Sequence, residues 1–292
     1  MRDRHDGRVE QCEHRQLGTR LGEGLSEQGP LSPAAMERTL AAVGTFAAVA
    51  RAHGADLACI ATSAVRRATN AVEFGTRIRA VAGVPLQVLS GKAEATASFR
   101  GATAGAGRDG SRIAVLDIGG GSTECAVGVD GTVLAARSIE IGSVRVAERY
   151  PALSGASPGA RARAAASAAR RAIRVAVAPL RRLAPVTQVR CVAGTPLTLA
   201  AVVAGSHAAT VAGTSLTRDA VDATIERLLD LDLAQRRALP GMLAQRADII
   251  VAGAVVLSES LCALGTSAGL LEADDLLLGF LLGTAPVGPS AE

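Results

Sequence analysis

The sequence has few of the residues that contact nucleic-acid bases. Its 292 residues include no tryptophan, one tyrosine and four phenylalanines. Proteins that bind nucleic acid usually combine basic residues with aromatic side chains on which bases stack. The composition argues against that class, and we expect no nucleic-acid partner.

Lysine is also nearly absent, because Lys92 is the only one and arginine supplies every other basic side chain. The guanidinium group is planar and forms bidentate hydrogen bonds with phosphate oxygens. We therefore expect arginine to make most contacts with an anionic ligand.

The cysteines are too scattered to form a metal centre or a disulfide framework. No Cys-x-x-Cys pair occurs, and the number of cysteines is odd: Cys12, Cys59, Cys125, Cys191 and Cys262. This usage favours free thiols in the reducing cytoplasm.

Long apolar runs are missing as well. The segment Met1–Arg15 is too polar for a signal peptide, and Pro196 and His207 interrupt the uncharged stretch Val192–Thr217. A membrane span needs about 20 mainly apolar residues. We expect a soluble cytoplasmic protein without a membrane contact.

What the first third of the chain does contain is an alternation of helices and short apolar strands. The pattern predicts helices over Pro33–Ala50 and Ala71–Ala82, and strands at Leu57–Ala61 and Leu86–Leu89. Between the first strand and the second helix, Thr62–Arg67 is predicted as a polar loop. This alternation is typical of an α/β domain.

A polar, glycine-rich stretch, Gly105–Ser111, is the predicted connection to a second domain. That domain opens with three predicted antiparallel strands, Ile113–Asp117, Cys125–Val129 and Val133–Ile141. The turn Asp130-Gly131 between the last two is a strong hairpin signal. Beyond Gly194 the sequence indicates mainly helices.

The segment Asp117–Glu124 contains the strongest motif, in which three glycines separate two strands. Backbone N–H groups in such a turn can approach an anion closely because no Cβ intervenes. Ser122 and Thr123 add hydroxyl donors, and Asp117 and Glu124 could hold a divalent cation. A plain glycine hairpin with solvated acidic neighbours is the alternative. Elsewhere, Gly91-Lys92-Ala93 lacks the upstream glycine and the Ser/Thr of a Walker A loop, and no Gly-x-Gly-x-x-Gly of a Rossmann motif directly follows the first strand.

Taken together, these motifs resemble the exopolyphosphatase/guanosine pentaphosphate phosphohydrolase (Ppx/GppA phosphatase) family of the actin-like ATPase superfamily. Besides Asp117–Glu124, the segments that carry the resemblance are Thr19–Leu25, Ala61–Asn70, Ser90–Ala95, Ile141–Arg145, Val192–Ala200 and Arg246–Gly253. They occur in the family's order across nearly the whole chain. The resemblance implies two actin-like (ribonuclease H-like) α/β domains around a central cleft, over residues 1–110 and 111–275, with a last helix at about 275–292 packed on the first domain.

The resemblance also implies roles for individual residues. Glu94 corresponds to the general base that activates water, and Asp117 and Glu124 correspond to acidic residues that bind Mg²⁺ or a similar cation. The residues implied to contact phosphate are Arg66, Asn70, Gly119, Gly120, Gly121, Ser122, Thr123, Gly142, Ser143 and Arg246. Spacing alone assigns neither Glu94 nor Arg66, because the helix dipole favours a glutamate in a first turn and a single arginine is usually a solvated surface charge.

The sequence departs from the family's pattern in two places. Ala93 stands where many members have the first of two adjacent acidic residues. No Asp-x-Gly-Thr/Ser-Asn-Ser loop, the family's first phosphate loop, occurs before Thr19. We therefore expect the first domain to be N-terminally incomplete, the reading frame to begin further upstream, and residues 1–292 alone to have little activity.

The implied reaction is the release of terminal phosphate from inorganic polyphosphate. Hydrolysis of guanosine pentaphosphate (pppGpp) uses the same residues and is an alternative. A third reading is a non-catalytic relative that binds phosphate but has lost activity with the first loop. A homodimer is compatible with the resemblance.

Overall fold

The computed structural model describes residues 15–25, 29–207 and 210–283. The chain divides into two compact units, residues 11–93 and residues 94–292. Residues 94–110, which the sequence pattern grouped with the first domain, thus belong to the second unit. The expectation of an N-terminally incomplete first domain falls on residues 1–14, which lie outside the described residues.

The first unit contains a two-stranded parallel sheet and three helices. In chain order its elements are α1 (Pro33–Ala52), β1 (Cys59–Ala61), α2 (Ser63–Arg67), α3 (Ala71–Ala82) and β2 (Leu86–Val88). As predicted, α1 begins after an N-cap serine, Ser32, whose hydroxyl accepts a hydrogen bond from Ala35 N. Met36 and Leu40 of α1 pack with Phe74 and Ile78 of α3 in its core.

The second unit contains a six-stranded mixed sheet covered on both faces. In chain order its elements are α4 (Gly91–Ala102, in the unit from Glu94), β3 (Arg112–Ile118), β4 (Thr123–Val129), β5 (Thr132–Ile139), α5 (Ser143–Arg149), α6 (Ala160–Val177), β6 (Gln188–Val192), α7 (Gly194–Ala204), β7 (Ser215–Thr217), α8 (Arg218–Leu229), α9 (Leu233–Arg237), α10 (Ile250–Ala263), β8 (Ala268–Leu271) and α11 (Leu276–Gly283). Short 3₁₀ helices occur at Pro151–Ser154, Ala178–Leu183 and Ala244–Arg246.

The strand order of this sheet is β5-β4-β3-β6-β8-β7. The first three strands in sequence are antiparallel neighbours, so the predicted meander is confirmed. β6 pairs in parallel with β3, β8 in parallel with β6, and β7 antiparallel with β8. The glycine motif therefore lies in the turn between two central strands.

Successive residues of β3 face opposite sides of the sheet, as in any strand. Residues 114, 116 and 118 are buried in the main core, formed with α5, α6, α7, α8 and α10. Residues 113 and 115 pack in a separate cluster with Ala95 and Phe99 of α4. By the same alternation, Asp117 lies on the face that α4 covers.

Two glycines allow α11 to pack closely on α4. A Cβ at Gly101 would overlap the Asp275 carbonyl oxygen, and a Cβ at Gly279 would overlap the Ala97 carbonyl oxygen. The close approach holds Asp275, at the start of α11, against the helix that carries Glu94. Residues 284–292 of the predicted last helix lie outside the described residues.

The structure adds elements that the sequence pattern did not indicate. Residues 62–67 were predicted as a loop, but Ser63–Arg67 forms α2. The strands β7 and β8 lie in the region predicted as mainly helical. No helix in the described ranges is both long enough and apolar enough to cross a bilayer.

Candidate active site

The glycine turn continues directly from the ladder of β3 and β4. Ile118 pairs with Thr123 at the end of the ladder, and Gly119 N donates a hydrogen bond of 3.0 Å to Ser122 O across the turn. Thr123 is fully buried, and its hydroxyl donates to Ile141 O at 2.6 Å. Hydrogen bonds therefore hold the turn both at the end of β3 and at the start of β4.

The N-terminus of α5 binds the carbonyl groups of this turn. Ser143 N donates to Gly119 O at 3.0 Å, and Val144 N donates to Gly120 O at 2.9 Å. In a trans peptide the N–H group points opposite to the carbonyl of the preceding residue. The N–H groups of Gly120 and Gly121 consequently point away from α5, and within the described residues they make no backbone hydrogen bond.

Gly142 shows why the turn and α5 can approach so closely. A Cβ on Gly142 would lie 2.5 Å from both the carbonyl carbon and the carbonyl oxygen of Gly120. Its φ of −144° is extended and open to any residue, so space and not backbone conformation requires glycine here. Gly142 and Ser143 thus support the turn, and a direct contact of either with phosphate stays a prediction.

A row of polar side chains crosses three adjacent strands beside the turn. Asp117 on β3 is directly opposite Glu124 on β4, which is directly opposite Ser138 on β5. Directly opposite residues share one face of a sheet. Asp117 is 8% exposed and Glu124 is 1% exposed, so this register places two carboxyl groups side by side away from water.

The helix α4 adds two further polar groups on the same side of the sheet. Glu94 and Ser98 are four residues apart and therefore share one face of the helix. The Ser98 hydroxyl donates to Asp117 Oδ2 at 2.6 Å. Glu94 is buried, and its negative charge acts on both Asp117 and Glu124.

Burial dominates the electrostatics of the two strand carboxyls. It raises the pKa of Asp117 to about 6; the hydrogen bond from Ser98 opposes the rise, and the charges of Asp275 and Glu94 add to it. Burial likewise raises the pKa of Glu124 to about 8, with the charge of Glu94 as the next cause. Within the described residues, neither Asp117 nor Glu124 forms a salt bridge with a basic side chain. The pair is therefore an uncompensated acidic site.

Asp117 and Glu124 suit Mg²⁺ that is bound jointly by protein and substrate phosphate better than Mg²⁺ held by protein side chains alone. Within residues 15–25, 29–207 and 210–283, no group of three or more His, Cys, Asp or Glu side chains is arranged to hold a metal ion. Mg²⁺ commonly binds through one or two carboxylates together with substrate phosphates. Asp117 and Glu124, which lie beside the glycine turn without a basic partner in the described residues, fit that mode.

Arg246 lies beside the N-terminus of α7. A Cβ at Gly194, the first residue of α7, would overlap the Arg246 guanidinium group. At Gly253 of α10, a Cβ would lie 2.6 Å from Thr195 Cγ2 and 3.1 Å from Ser143 Cβ. The Val192–Ala200 and Arg246–Gly253 motifs are therefore brought together beside the start of α5.

The two predicted site residues of the first unit have contacts within that unit. Arg66 Nη1 donates to Leu89 O at 2.9 Å. The amide of Asn70 binds the backbone of Leu31 twice, donating to its carbonyl at 3.1 Å and accepting from its N–H at 2.8 Å. Asn70 thus fixes the segment before α1, and phosphate contacts of Arg66 and Asn70 stay predictions.

Sequence reasoning missed Ser98 and Ser138. The sequence could have indicated Ser98, because its spacing of four residues from Glu94 places both side chains on one face of a helix. Ser138 could be found only by fixing the register of β4 and β5, which a bulge at Val127/Gly128 shifts.

Comparison with known proteins identifies the family of this chain. Residues 3–277 match the Ppx/GppA phosphatase family. Exopolyphosphatase 2 of Mycobacterium tuberculosis is 34% identical over 283 residues, which cover 91% of this chain and 86% of that protein. A guanosine-5'-triphosphate,3'-diphosphate pyrophosphatase of Vibrio cholerae is 35% identical over 146 residues, covering 50% of this chain and 29% of that protein.

A solved structure of an exopolyphosphatase-like protein superposes with a TM-score of 0.82 at 29% identity, covering 90% of this chain and 88% of the other. The predicted actin-like α/β fold is thereby confirmed. The family match spans both units and includes every predicted site residue. The chain belongs to the Ppx/GppA phosphatase family.

Proposed function

We propose that the protein is an exopolyphosphatase, a phosphoanhydride hydrolase that releases terminal phosphate from inorganic polyphosphate. One observation carries the proposal: two buried carboxyl groups without a basic partner in the described residues flank a turn with outward-facing N–H groups. A plain glycine hairpin would not require this arrangement. Exopolyphosphatase 2 of Mycobacterium tuberculosis, whose match covers 91% of this chain, is named for exopolyphosphatase activity.

In this proposal Glu94 is the general base. Its carboxylate accepts a proton from water, whose oxygen attacks the terminal phosphorus while the bridging P–O bond breaks. The shortened polyphosphate leaves with the electrons of that bond. General base catalysis of this kind contributes about 10²–10⁴-fold to the rate.

The remaining residues position the phosphate chain, which is most of what phosphoryl-transfer catalysis requires. The N–H groups of Gly120 and Gly121 would bind phosphate oxygens, with the Ser122 hydroxyl beside them. Arg246 would contribute positive charge, and a phosphate contact of Arg66 stays a prediction of the family resemblance. Gly119, Thr123, Gly142 and Ser143 hold the turn in place.

Asp117 and Glu124 would hold Mg²⁺ together with the substrate. When bound, the cation offsets the negative charge of phosphate oxygens near the attacked phosphorus. A cytoplasmic location is also proposed, supported by free thiols at Cys59, Cys125, Cys191 and Cys262. A homodimer stays a prediction that light scattering of the purified protein would check.

The second candidate substrate is guanosine pentaphosphate, favoured by the match to the Vibrio cholerae pyrophosphatase. The deciding experiment measures orthophosphate release from long-chain polyphosphate and from guanosine pentaphosphate, each with Mg²⁺ and with excess EDTA. We expect faster release from polyphosphate than from the nucleotide, even at the low overall rate predicted for residues 1–292, and little release in EDTA. Faster release from the nucleotide would select the second candidate, and no release from either would leave a non-catalytic phosphate binder.

A further inference from the structure

Each carboxyl group of the acidic pair accepts one short hydrogen bond from a serine. Ser98 Oγ donates to Asp117 Oδ2 at 2.6 Å, and Ser138 Oγ donates to Glu124 Oε1 at 2.6 Å. Both distances are typical of hydrogen bonds from a hydroxyl to a charged oxygen. Neither the sequence motifs nor the proposed reaction assigns a role to these serines.

The two hydroxyls approach the pair from different elements. Ser98 comes from α4, which covers this face of the sheet. Ser138 comes from β5, on the side of β4 away from β3. Each carboxyl group is thus held by a neighbour outside the β3–β4 hairpin. Glu124 is also hydrogen-bonded with Ser122 of the turn, and within the described residues one oxygen of Asp117 has no hydrogen-bond donor.

The carboxyl groups need such support because they repel one another once both are charged, as joint binding of a cation requires. Side chains directly opposite in an antiparallel pair have Cβ atoms about 4.5–5.5 Å apart, and like charges there are destabilising. The terminal torsion of a carboxyl group has a broad minimum and turns easily. Without the serines, repulsion would rotate the two groups apart.

We propose that Ser98 and Ser138 are positioning residues that fix Asp117 and Glu124 for a divalent cation bound together with the phosphate chain. This inference rests on the proposed function. Ser98 has the larger effect because it is 1% exposed, whereas Ser138 is only half-buried. Ser98 also lies one turn from Glu94, so a single helix places both the base and the support of Asp117.

Mg²⁺ dependence separates this role from a purely structural one. In Ser98→Ala, the Mg²⁺ concentration that gives half-maximal orthophosphate release should rise about tenfold, the factor expected for one lost hydrogen bond to a charged group. Saturating Mg²⁺ should restore kcat to within about twofold, because an excess of cation compensates for weaker binding. Ser138→Ala should show a smaller rise, and Ser98→Thr, which keeps the hydroxyl, should stay near the unaltered protein.

The matched control is Ser260→Ala on α10. Ser260 is fully buried, and among the described residues its hydroxyl has no hydrogen-bond partner, so its removal should leave the Mg²⁺ dependence unchanged. Melting temperatures of all variants check that each is folded. Equal Mg²⁺ dependence in Ser98→Ala and Ser260→Ala would overturn the proposal, as would a loss of kcat that excess Mg²⁺ does not restore.

A second readout does not need turnover. Polyphosphate binding is measured on Glu94→Gln with Mg²⁺ and with EDTA, and then again after adding Ser98→Ala or Ser260→Ala. The Mg²⁺-dependent gain in affinity should fall about tenfold only with Ser98→Ala. An equal gain in all three proteins, or no gain in any, contradicts the positioning role. Failure of the unaltered chain to release phosphate would contradict the proposed function, while this binding result still decides the role of Ser98.

Discussion

The described part of the second unit contains one buried acidic site that is paired with arginine and another that has no basic partner. Glu259 on α10 is 3% exposed, and its carboxyl oxygens bind Arg170 at 3.1 Å and Arg174 at 2.8 Å. Asp117 and Glu124 are similarly buried, yet in the described part of the chain their hydrogen-bond donors are serine hydroxyls. The same fold thus pairs one carboxylate with arginine and leaves two without it.

This difference distinguishes a structural acid from a functional one. A buried charge is costly unless it is paired, and removing one partner of a pair is strongly destabilising. The Glu259 network joins α6 to α10, so its charges stabilise the fold. Asp117 and Glu124 have no basic partner in the described residues, and burial raises their pKa values to about 6 and about 8. A cation that arrives with phosphate would favour their charged forms.

The largest expected effect is on turnover in Glu94→Gln. If Glu94 activates water, kcat should fall about 10²–10⁴-fold, because the amide cannot accept the proton. Polyphosphate binding should remain, since the glycine turn is untouched. Orthophosphate release and equilibrium binding measure the two effects, and Glu259→Gln is the control that should keep kcat. A folded Glu94→Gln protein with near-normal turnover would remove Glu94 from the mechanism.

The next largest effect is on ligand affinity in Gly142→Ala. The new Cβ would lie 2.5 Å from the Gly120 carbonyl, so the turn must move away from α5 and its N–H groups must reorient. Polyphosphate affinity should fall by about tenfold or more, as expected for one lost charge-assisted hydrogen bond or several. Fluorescence or calorimetric binding would measure it.

Gly105→Ala is the matched control for that change. A Cβ at Gly105 meets no atom within 4 Å, so its affinity should equal that of the unaltered protein. Unchanged affinity in Gly142→Ala would mean that the turn is only a hairpin connection. A phosphate ligand at the turn would then no longer explain why Asp117 and Glu124 differ from Glu259.

The smallest expected effect is on stability in Glu259→Gln. This change removes the charge that Arg170 and Arg174 share, and we expect the free energy of unfolding to fall by about 1–3 kcal/mol. That is below the cost for a fully buried pair, because both arginines are partly exposed. Urea unfolding would measure it. A stability equal to that of the unaltered protein would show that the arginine network contributes little.

Much of the acidic site could be predicted from local sequence. The strands on either side of the three glycines put Asp117 and Glu124 at the same end of a hairpin, and their direct pairing follows from a short turn. Glu94 could be placed only through the family resemblance. Its burial against β3 depends on packing between α4 and the sheet, which no local pattern specifies.

Other features depended on contacts distant in sequence. Gly142 and Gly120 are adjacent only in the folded unit, and Asn70 binds the backbone of Leu31, 39 residues away. The strand β8 has only four residues, and its partner β6 lies far away in the sequence. Such pairings are determined by tertiary structure, so helix and strand patterns could not indicate them.

The most direct test compares Asp117→Asn with Glu259→Gln, measuring kcat and the free energy of unfolding on the same preparations. Asp117→Asn should lose about 10²–10³-fold in kcat, the usual cost of removing one electrostatic contribution to a reacting centre. It should be as stable as the unaltered protein or more so, since a buried uncompensated charge is gone. Glu259→Gln should show the reverse, normal kcat and reduced stability. Full activity in Asp117→Asn, or a loss of stability equal to that of Glu259→Gln, would contradict the account.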